Sequence, residues 1–582
     1  MRMTIDSLAS CWRLLVATLT LNLALVSCAS LESKPGEDSD TALIQPQETA
    51  VAPTASLDEE DLYELLLADL SAQRGDYATA ADTYLRLAKR TRDVALVESA
   101  TRSALQANNS KQAIAALELW LDIDPQDERA LALVTRIYVS EGRSDEAYRH
   151  LQQIRESRAK EEGKGFLYVA RLLSRSREQE AATALMERLS EGYDNDADAL
   201  FAQSFLALQF GDYDRAAETI ERVLALRGDN VQALLHKALI LRRQNKAGEA
   251  ADILAQVVEQ QPENNDLRSS YARMLVEAGR YQEAREQYQL LIQQAPDNED
   301  ILFALGLLSL QLEQVDEAEA HFMELQRRGS DNPDVPYYLA RIAESREDLN
   351  QALFWYSQVT DGSNYPDAQL RIAVLMALQG DLAAARSQLG VIRTNIPAMA
   401  LEVTLTEGSL LQEAERHDEA IALYTEALQA LTGNTRLLYA RGLAYAETER
   451  FNLFEEDMRD ILQSEPDNAD ALNALGYYLA DSTTRYEEAL GYIERALAQR
   501  PDSHFVIDSY GWVQYRLGNH AEALKYLRKA FAIEADPEVA AHLGEVLWMT
   551  GERDEARRIW NEALERDPEN KALRKVVDRF LK

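Results

Sequence analysis

Histidine and cysteine are the side chains best suited to hold a metal or attack a substrate, and this 582-residue sequence spaces them poorly for either task. His150, His236, His321, His417, His504, His520 and His542 stand singly, with no His-Glu-x-x-His and no other pair at zinc-ligand spacing. Cys11 and Cys28 both lie near the start, and no thiol follows them, so there is neither a disulfide framework nor a thiolate metal site. No Gly-x-Ser-x-Gly elbow occurs, and Gly163-Lys164-Gly165 lacks the preceding strand that a phosphate-cradling loop needs. Carboxylates abound, but on amphipathic helices a charged residue is ordinarily a solvated face. The expectation is a protein that is not an enzyme and uses no cofactor or metal.

Charge narrows the partners. With 98 Asp and Glu against 61 Lys and Arg, the net charge is -37. Phosphate backbones and anionic head groups are repelled by most of such a surface, which excludes nucleic acid. The acidity serves either solubility of a long exposed body or selection of a basic partner. One stretch reverses the sign: Arg136 to Arg177 holds ten basic residues against six acidic ones. Arg155, Arg158, Lys160, Lys164, Arg171 and Arg175 could meet an acidic surface, or could be solvated helix faces; both readings stay open.

The elements that must position any site are announced by one small residue. Alanine returns as Ala80, Ala113, Ala147, Ala182, Ala216, Ala250, Ala284, Ala318, Ala352, Ala385 and Ala420, lapses at Phe454, and resumes at Ala489, Ala523 and Ala556. Each step is 33 to 35 residues, the length of one helical hairpin stacked on the next. Residues 536–570 show the unit clearly. Leu543, Gly544 and Leu547 share one face of a first helix, Gly551 closes it, and Ala556, Trp560 and Ala563 share one face of a second, which Pro568 stops. Ala556 is small because two closely crossing helices leave no room for a larger side chain.

This pattern resembles the tetratricopeptide repeat. It recurs in Leu305-Gly306 with Ala318 and Phe322, in Gly279-Arg280-Tyr281 with Ala284, Tyr288 and Pro296, and in Tyr510-Gly511 with Gly518, Ala523 and Leu527. The resemblance implies an all-α fold: an α-solenoid superhelix of about fifteen hairpins over residues 58–570, closed by a C-terminal capping helix over 571–582. Residues 128–196 keep the alanines but few other signature residues. Phe454 predicts a wider helix crossing or a local kink, and Thr483-Thr484 lengthen one turn by a residue.

Residues 1–27 carry Arg2 and Arg13 and an apolar run from Leu14 to Val26, too short and polar to span a membrane but suited to a secretory leader. The run ends in Leu25-Val26-Ser27-Cys28, which resembles a bacterial lipobox. That likeness implies acylation at Cys28 and, since Ala29 rather than aspartate follows, an outer-membrane anchor with the body facing the periplasm. Residues 28–57 include Pro35, Pro46 and Pro53 without apolar periodicity and read as a tether, averaging roughly 30 Å end to end.

In tetratricopeptide arrays the first helix of each pair lines a concave groove. By resemblance the groove-facing residues are Asn473 and Tyr477, then Asp508, Trp512, Tyr515 and Arg516, then His542, Glu545 and Trp548. Aromatic and arginine anchors suit capture of an extended or helical peptide. The segments DSYGWVQYRLGNHAEAL and HLGEVLWMTGERDEARRIW, with the lipobox and length, resemble the LbcA-type tetratricopeptide lipoproteins of gammaproteobacteria. Members of that type recruit a carboxyl-terminal processing protease, a periplasmic serine protease, and its peptidoglycan-hydrolase substrates. The alternative is an assembly factor for an outer-membrane secretion, pilus or polysaccharide-export machine.

Overall fold

The computed structural model describes residues 58–158 and 164–581. The expected leader, Cys28 and the tether lie outside these residues, as does Lys160. Among the described residues there are 31 α-helices and no strand: fifteen antiparallel hairpins and one final helix. They fall into two compact units, divided in the sequence between Ser330 and Asp331. The first holds eight hairpins, from Glu59–Gln73 to Val315–Arg328, and the second holds seven plus the final helix, Lys571–Leu581.

The hairpins repeat because their punctuation repeats. Most first helices open on an Asp or Asn whose side chain accepts from a backbone N–H two or three residues on, as Asn298 does from Ile301 and Asn468 from Ala471. Within thirteen of the fifteen hairpins, the turn carries one left-handed residue, from Gly75 to Gly551. Seven are glycines, which adopt that conformation without strain; the others are Asn108, Asn245, Glu313, Glu347, Glu415 and Glu449. The two exceptions are the five-residue turn at 174–178 and the turn at 483–485, which keeps the usual three residues, the extra residue of its period falling in the 14-residue first helix Ala469–Ser482. The expected lengthening thus lies in the helix before Thr483-Thr484 and not in the turn that contains them.

The returning alanine is the fourth residue of fourteen of the fifteen second helices, and each is fully buried; Phe454 holds the place in the remaining one. The alanine faces a first helix that is itself pared down at the crossing. A β-carbon on Gly511 would lie 2.7 Å from Leu527 Cγ, and one on Gly306 would lie 2.7 Å from the Phe322 ring, so these glycines make room for the large residue one turn after the alanine. At Gly476 the backbones themselves come close, an added β-carbon lying 3.1 Å from the Ala489 carbonyl oxygen. At the matching place in an earlier hairpin, Ser204 instead donates its hydroxyl to the carbonyl of Ala216 at 2.8 Å.

Phe454 departs from the expectation of a kink. Its helix, Phe451–Ser464, runs unbroken, and its ring sits 2 % exposed, edge-on to Tyr478 at 5.1 Å. Gly442 on the facing helix makes room for Met458, one turn beyond Phe454: an added β-carbon would run into Met458 Cε, yet would meet Phe454 Cδ2 at an ordinary contact distance of 3.7 Å.

Candidate functional site

The expected site residues lie on the last seven helices, designated α1 (Ala469–Ser482), α2 (Tyr486–Gln499), α3 (His504–Arg516), α4 (His520–Ile533), α5 (Pro537–Thr550), α6 (Arg553–Arg566) and α7 (Lys571–Leu581). First helices α1, α3 and α5 present them, with Asn468 and Asp536 capping α1 and α5. Second helices α2, α4 and α6 back them through Ala489, Ala523 and Ala556, so the first helices stack side by side.

Three of those first helices are joined through one imidazole. His542 on α5 lies 2.8 Å through Nδ1 from Asp508 Oδ2 on α3, and 3.2 Å through Nε2 from the Tyr477 hydroxyl on α1. Trp512 stacks on the same ring, 4.3 Å between centroids, and Tyr515 leans on Trp512 at 5.2 Å. Burial alone would depress the His542 pKa, but the Asp508 carboxylate beside it wins and raises it to about 9. At neutral pH both ring nitrogens therefore carry protons: Nδ1–H donates to Asp508 and Nε2–H to Tyr477. A general base needs a lone pair, and this histidine has none to offer. Its chemistry is that of a clasp.

Around the clasp sit the other expected residues. Glu545 pairs with Arg579 from α7. Burial raises its carboxyl above the usual range, with Arg579 and His542 opposing. Arg516 donates to the Asp481 carbonyl at 2.8 Å and to the Tyr486 hydroxyl at 2.9 Å, its guanidinium lying over the Tyr486 ring. Asn473 is half-buried on α1. Asn473 Oδ1, Asp508 Oδ1 and Trp512 Nε1 have no hydrogen-bond partner among the described residues. All three atoms are buried, so this spare hydrogen-bonding capacity lies inside the layer rather than on its surface.

Two expected residues sit differently from a groove lining. Trp512, 5 % exposed, packs in the core with only its N–H edge uncommitted. Trp548 packs with Trp560 and Phe580 further along the same core, under the guanidinium groups of Arg553 and Arg557. Arg579 and Phe580 are partners the sequence reading missed. Their signal was register: Arg579 stands 34 residues after Glu545, as His542 stands 34 after Asp508.

The basic stretch is largely spoken for. Arg155 lies over the rings of Phe166 and Tyr193, Arg158 pairs with Glu128 and covers Tyr168, and Arg143 pairs with Glu146. Arg155 and Arg158 thus pack one hairpin on the next, while Arg143 stays within its own.

Tetratricopeptide-repeat models match residues 201–265, 238–299 and 455–504, and a second model of the same repeat matches 104–167, 275–342 and 514–579. TPR repeat-containing protein PA4667 of Pseudomonas aeruginosa is 37% identical over 537 residues, which cover 91% of this chain and 90% of that protein. The chain belongs to the tetratricopeptide-repeat family. It is also similar to a solved thermophilic TPR protein of Thermus thermophilus (24% identity, 31% of this chain, 99% of that one, TM-score 0.29). For yeast Tom70 the figures are 17% identity, 68% of this chain, 96% of that one and a TM-score of 0.28. The repeats make this protein a scaffold for protein–protein contacts.

Proposed function

We propose that the protein is an adaptor held at the periplasmic face of the outer membrane by acylation of Cys28. In this reading the inner layer of first helices captures protein partners. The partner that fits the lipobox, the length and the C-terminal segments is a carboxyl-terminal processing protease, with peptidoglycan hydrolases as the substrates brought to it. Any reaction then belongs to the protease, and the adaptor contributes proximity: tethering two partners to one body turns their encounter into a local one.

The observation that carries the binding role is the joined layer of α1, α3 and α5. Tyr477, Asp508 and His542 fix three successive units to one another, and the half-buried Asn473 and Tyr515 lie beside them. Scaffold helices locked in this way present a preformed surface, which lowers the ordering cost of binding an extended chain.

The test is affinity capture from envelope extract, using the chain made without residues 1–27 and with Cys28→Ser. Recovery of a serine protease together with a peptidoglycan hydrolase is the expected result. Recovery of secretion or pilus components without a protease would overturn the protease reading, and peptide or peptidoglycan hydrolysis by the purified chain alone would overturn the adaptor reading. For the anchor, Cys28→Ser in the secreted protein should move the body from the outer-membrane fraction to soluble periplasm; continued sedimentation with membrane would sink it.

A further inference from the structure

The two ends of the described helical body are finished differently. At the far end α7 lays Leu573, Val576, Val577 and Phe580 over the last hairpin. At the near end the first described helix, Glu59–Gln73, leaves a stripe of large apolar side chains in the open: Leu62 is 51 % exposed, Tyr63 68 %, Leu66 55 %, Leu67 39 % and Leu70 47 %. On a helix turning 100° per residue all five fall within one face. Scattered exposed leucines need no explanation, but a contiguous stripe of this size marks a contact surface.

The helix's other face is fastened to its own hairpin. Asp61 and Glu64 both receive the Arg90 guanidinium, and Asp69 accepts from the Tyr84 hydroxyl. Those acidic groups are therefore turned away from the stripe. The charges that do border it are acidic at the start, Asp58, Glu59 and Glu60, and basic just past the end, Arg74, all exposed. That arrangement is self-complementary. A two-fold axis between Leu66 and Leu67 sets a second helix antiparallel on the first. Tyr63 then meets Leu70 of the second copy, Leu66 meets its Leu67, and Glu59 meets its Arg74 at both ends. Isologous contact of this kind uses one patch twice and closes on itself.

We infer that this face binds a second copy of the chain, forming an antiparallel helix pair about the Leu66–Leu67 axis. The stripe is narrower than the ~20–30 residues a side of a standard interface. Association in dilute solution is therefore weak, in the range of roughly micromolar dissociation constants. Confinement of both copies near one surface raises their effective concentration and drives pairing there.

Sedimentation velocity on the Cys28→Ser chain without residues 1–27, from roughly micromolar to roughly hundred-micromolar concentration, should show a monomer converting to a dimer. Neither change touches a described residue. Leu66→Glu should weaken pairing at least about tenfold, an effect of about 1.4 kcal/mol, with the melting curve unchanged because the site is exposed. Glu59→Arg alone and Arg74→Glu alone should each weaken it, and the two together should restore it. A chain that stays monomeric throughout overturns the inference, as does a dimer untouched by Leu66→Glu. Failure of the charge exchange to restore pairing overturns the antiparallel register. Binding of the monomer to phosphatidylethanolamine vesicles, lost in Leu66→Glu, would assign the face to a lipid surface instead.

Discussion

Asp508 and His542 stand 34 residues apart and one hairpin apart, and their side chains meet at 2.8 Å with 6 % and 9 % of each residue exposed. A pair this buried is expensive to break, because the survivor is left desolvated without its counter-charge. Asp508→Ala should destabilise the C-terminal hairpins by about 3–5 kcal/mol. Removing both partners, as in Asp508→Ala with His542→Leu, should cost less than the single change. Amide hydrogen exchange on α3 and α5 reads this locally, which suits an array whose units need not unfold together; equal loss in single and double variants would count against it.

Protonation sets the pH at which that clasp works. The folded His542 value of about 9 lies above that of an unfolded histidine, about 6.5. Its contribution is therefore complete below about 6.5 and disappears as pH rises through the folded value. Stability of the C-terminal unit should decline over that window in the native chain and stay flatter in His542→Gln.

His236 behaves in the opposite sense. Buried beside Phe201 and Phe205, with Nε2 3.2 Å from the Ser204 hydroxyl, its pKa is pushed down to about 4 by loss of solvent. Because the unfolded state binds the proton more readily, stability is lost as pH falls from about 6.5 through that folded value. Acid titration of hydrogen exchange should loosen Val231–Arg243, and His236→Phe should remove part of the effect. An unchanged acid profile in that variant would assign the loss to other groups.

Overpacking should separate crossing positions from the surface. Gly544 lies against the Trp560 indole so closely that an added β-carbon would meet Nε1, Cε2 and Cδ1 at once, and Trp560 is fully buried and cannot retreat. Gly544→Ala and Ala523→Leu should each cost about 1–3 kcal/mol. Gly491→Ala, whose β-carbon would meet nothing within 4 Å, should be neutral or slightly favourable as a helix residue. Thermal melts of the three variants provide the comparison.

Binding and packing should likewise come apart. Trp512→Ala removes a core ring and should cost about 3–5 kcal/mol, so any loss of partner capture in it is ambiguous. Tyr515→Ala, at a half-buried position, should weaken capture with little change in melting. If Tyr515→Ala binds partners as well as the native chain does, the layer around His542 is not the contact surface.

Much of the fold could be read before the coordinates, for a physical reason. Ala556, Gly551 and Trp560 lie within one unit, and their constraints are local: a close crossing, a left-handed turn, a filled interior. The site was harder. Tyr477 and His542 are 65 residues apart, so their meeting depends on how far successive units rotate, which no periodicity within a unit records. Trp512 carries the sequence pattern of a groove anchor, yet the His542 ring on it makes it part of the interior. Arg155 was legible as charge and not as packing, because its aromatic partners Phe166 and Tyr193 belong to the following hairpin and to the turn beyond it.

The fixed place of the small residue, fourth in fourteen of the fifteen second helices, bears on how such a chain can change its length. Excising one whole period, for instance from the first residue of one hairpin to the first residue of the next, rejoins two surfaces of the same kind, and duplicating a period does likewise. Length is therefore separable from foldability here, whereas the His542 clasp spans three units and is lost whenever the cut falls among them. Selection could lengthen or shorten the early hairpins freely while holding the last three as a set.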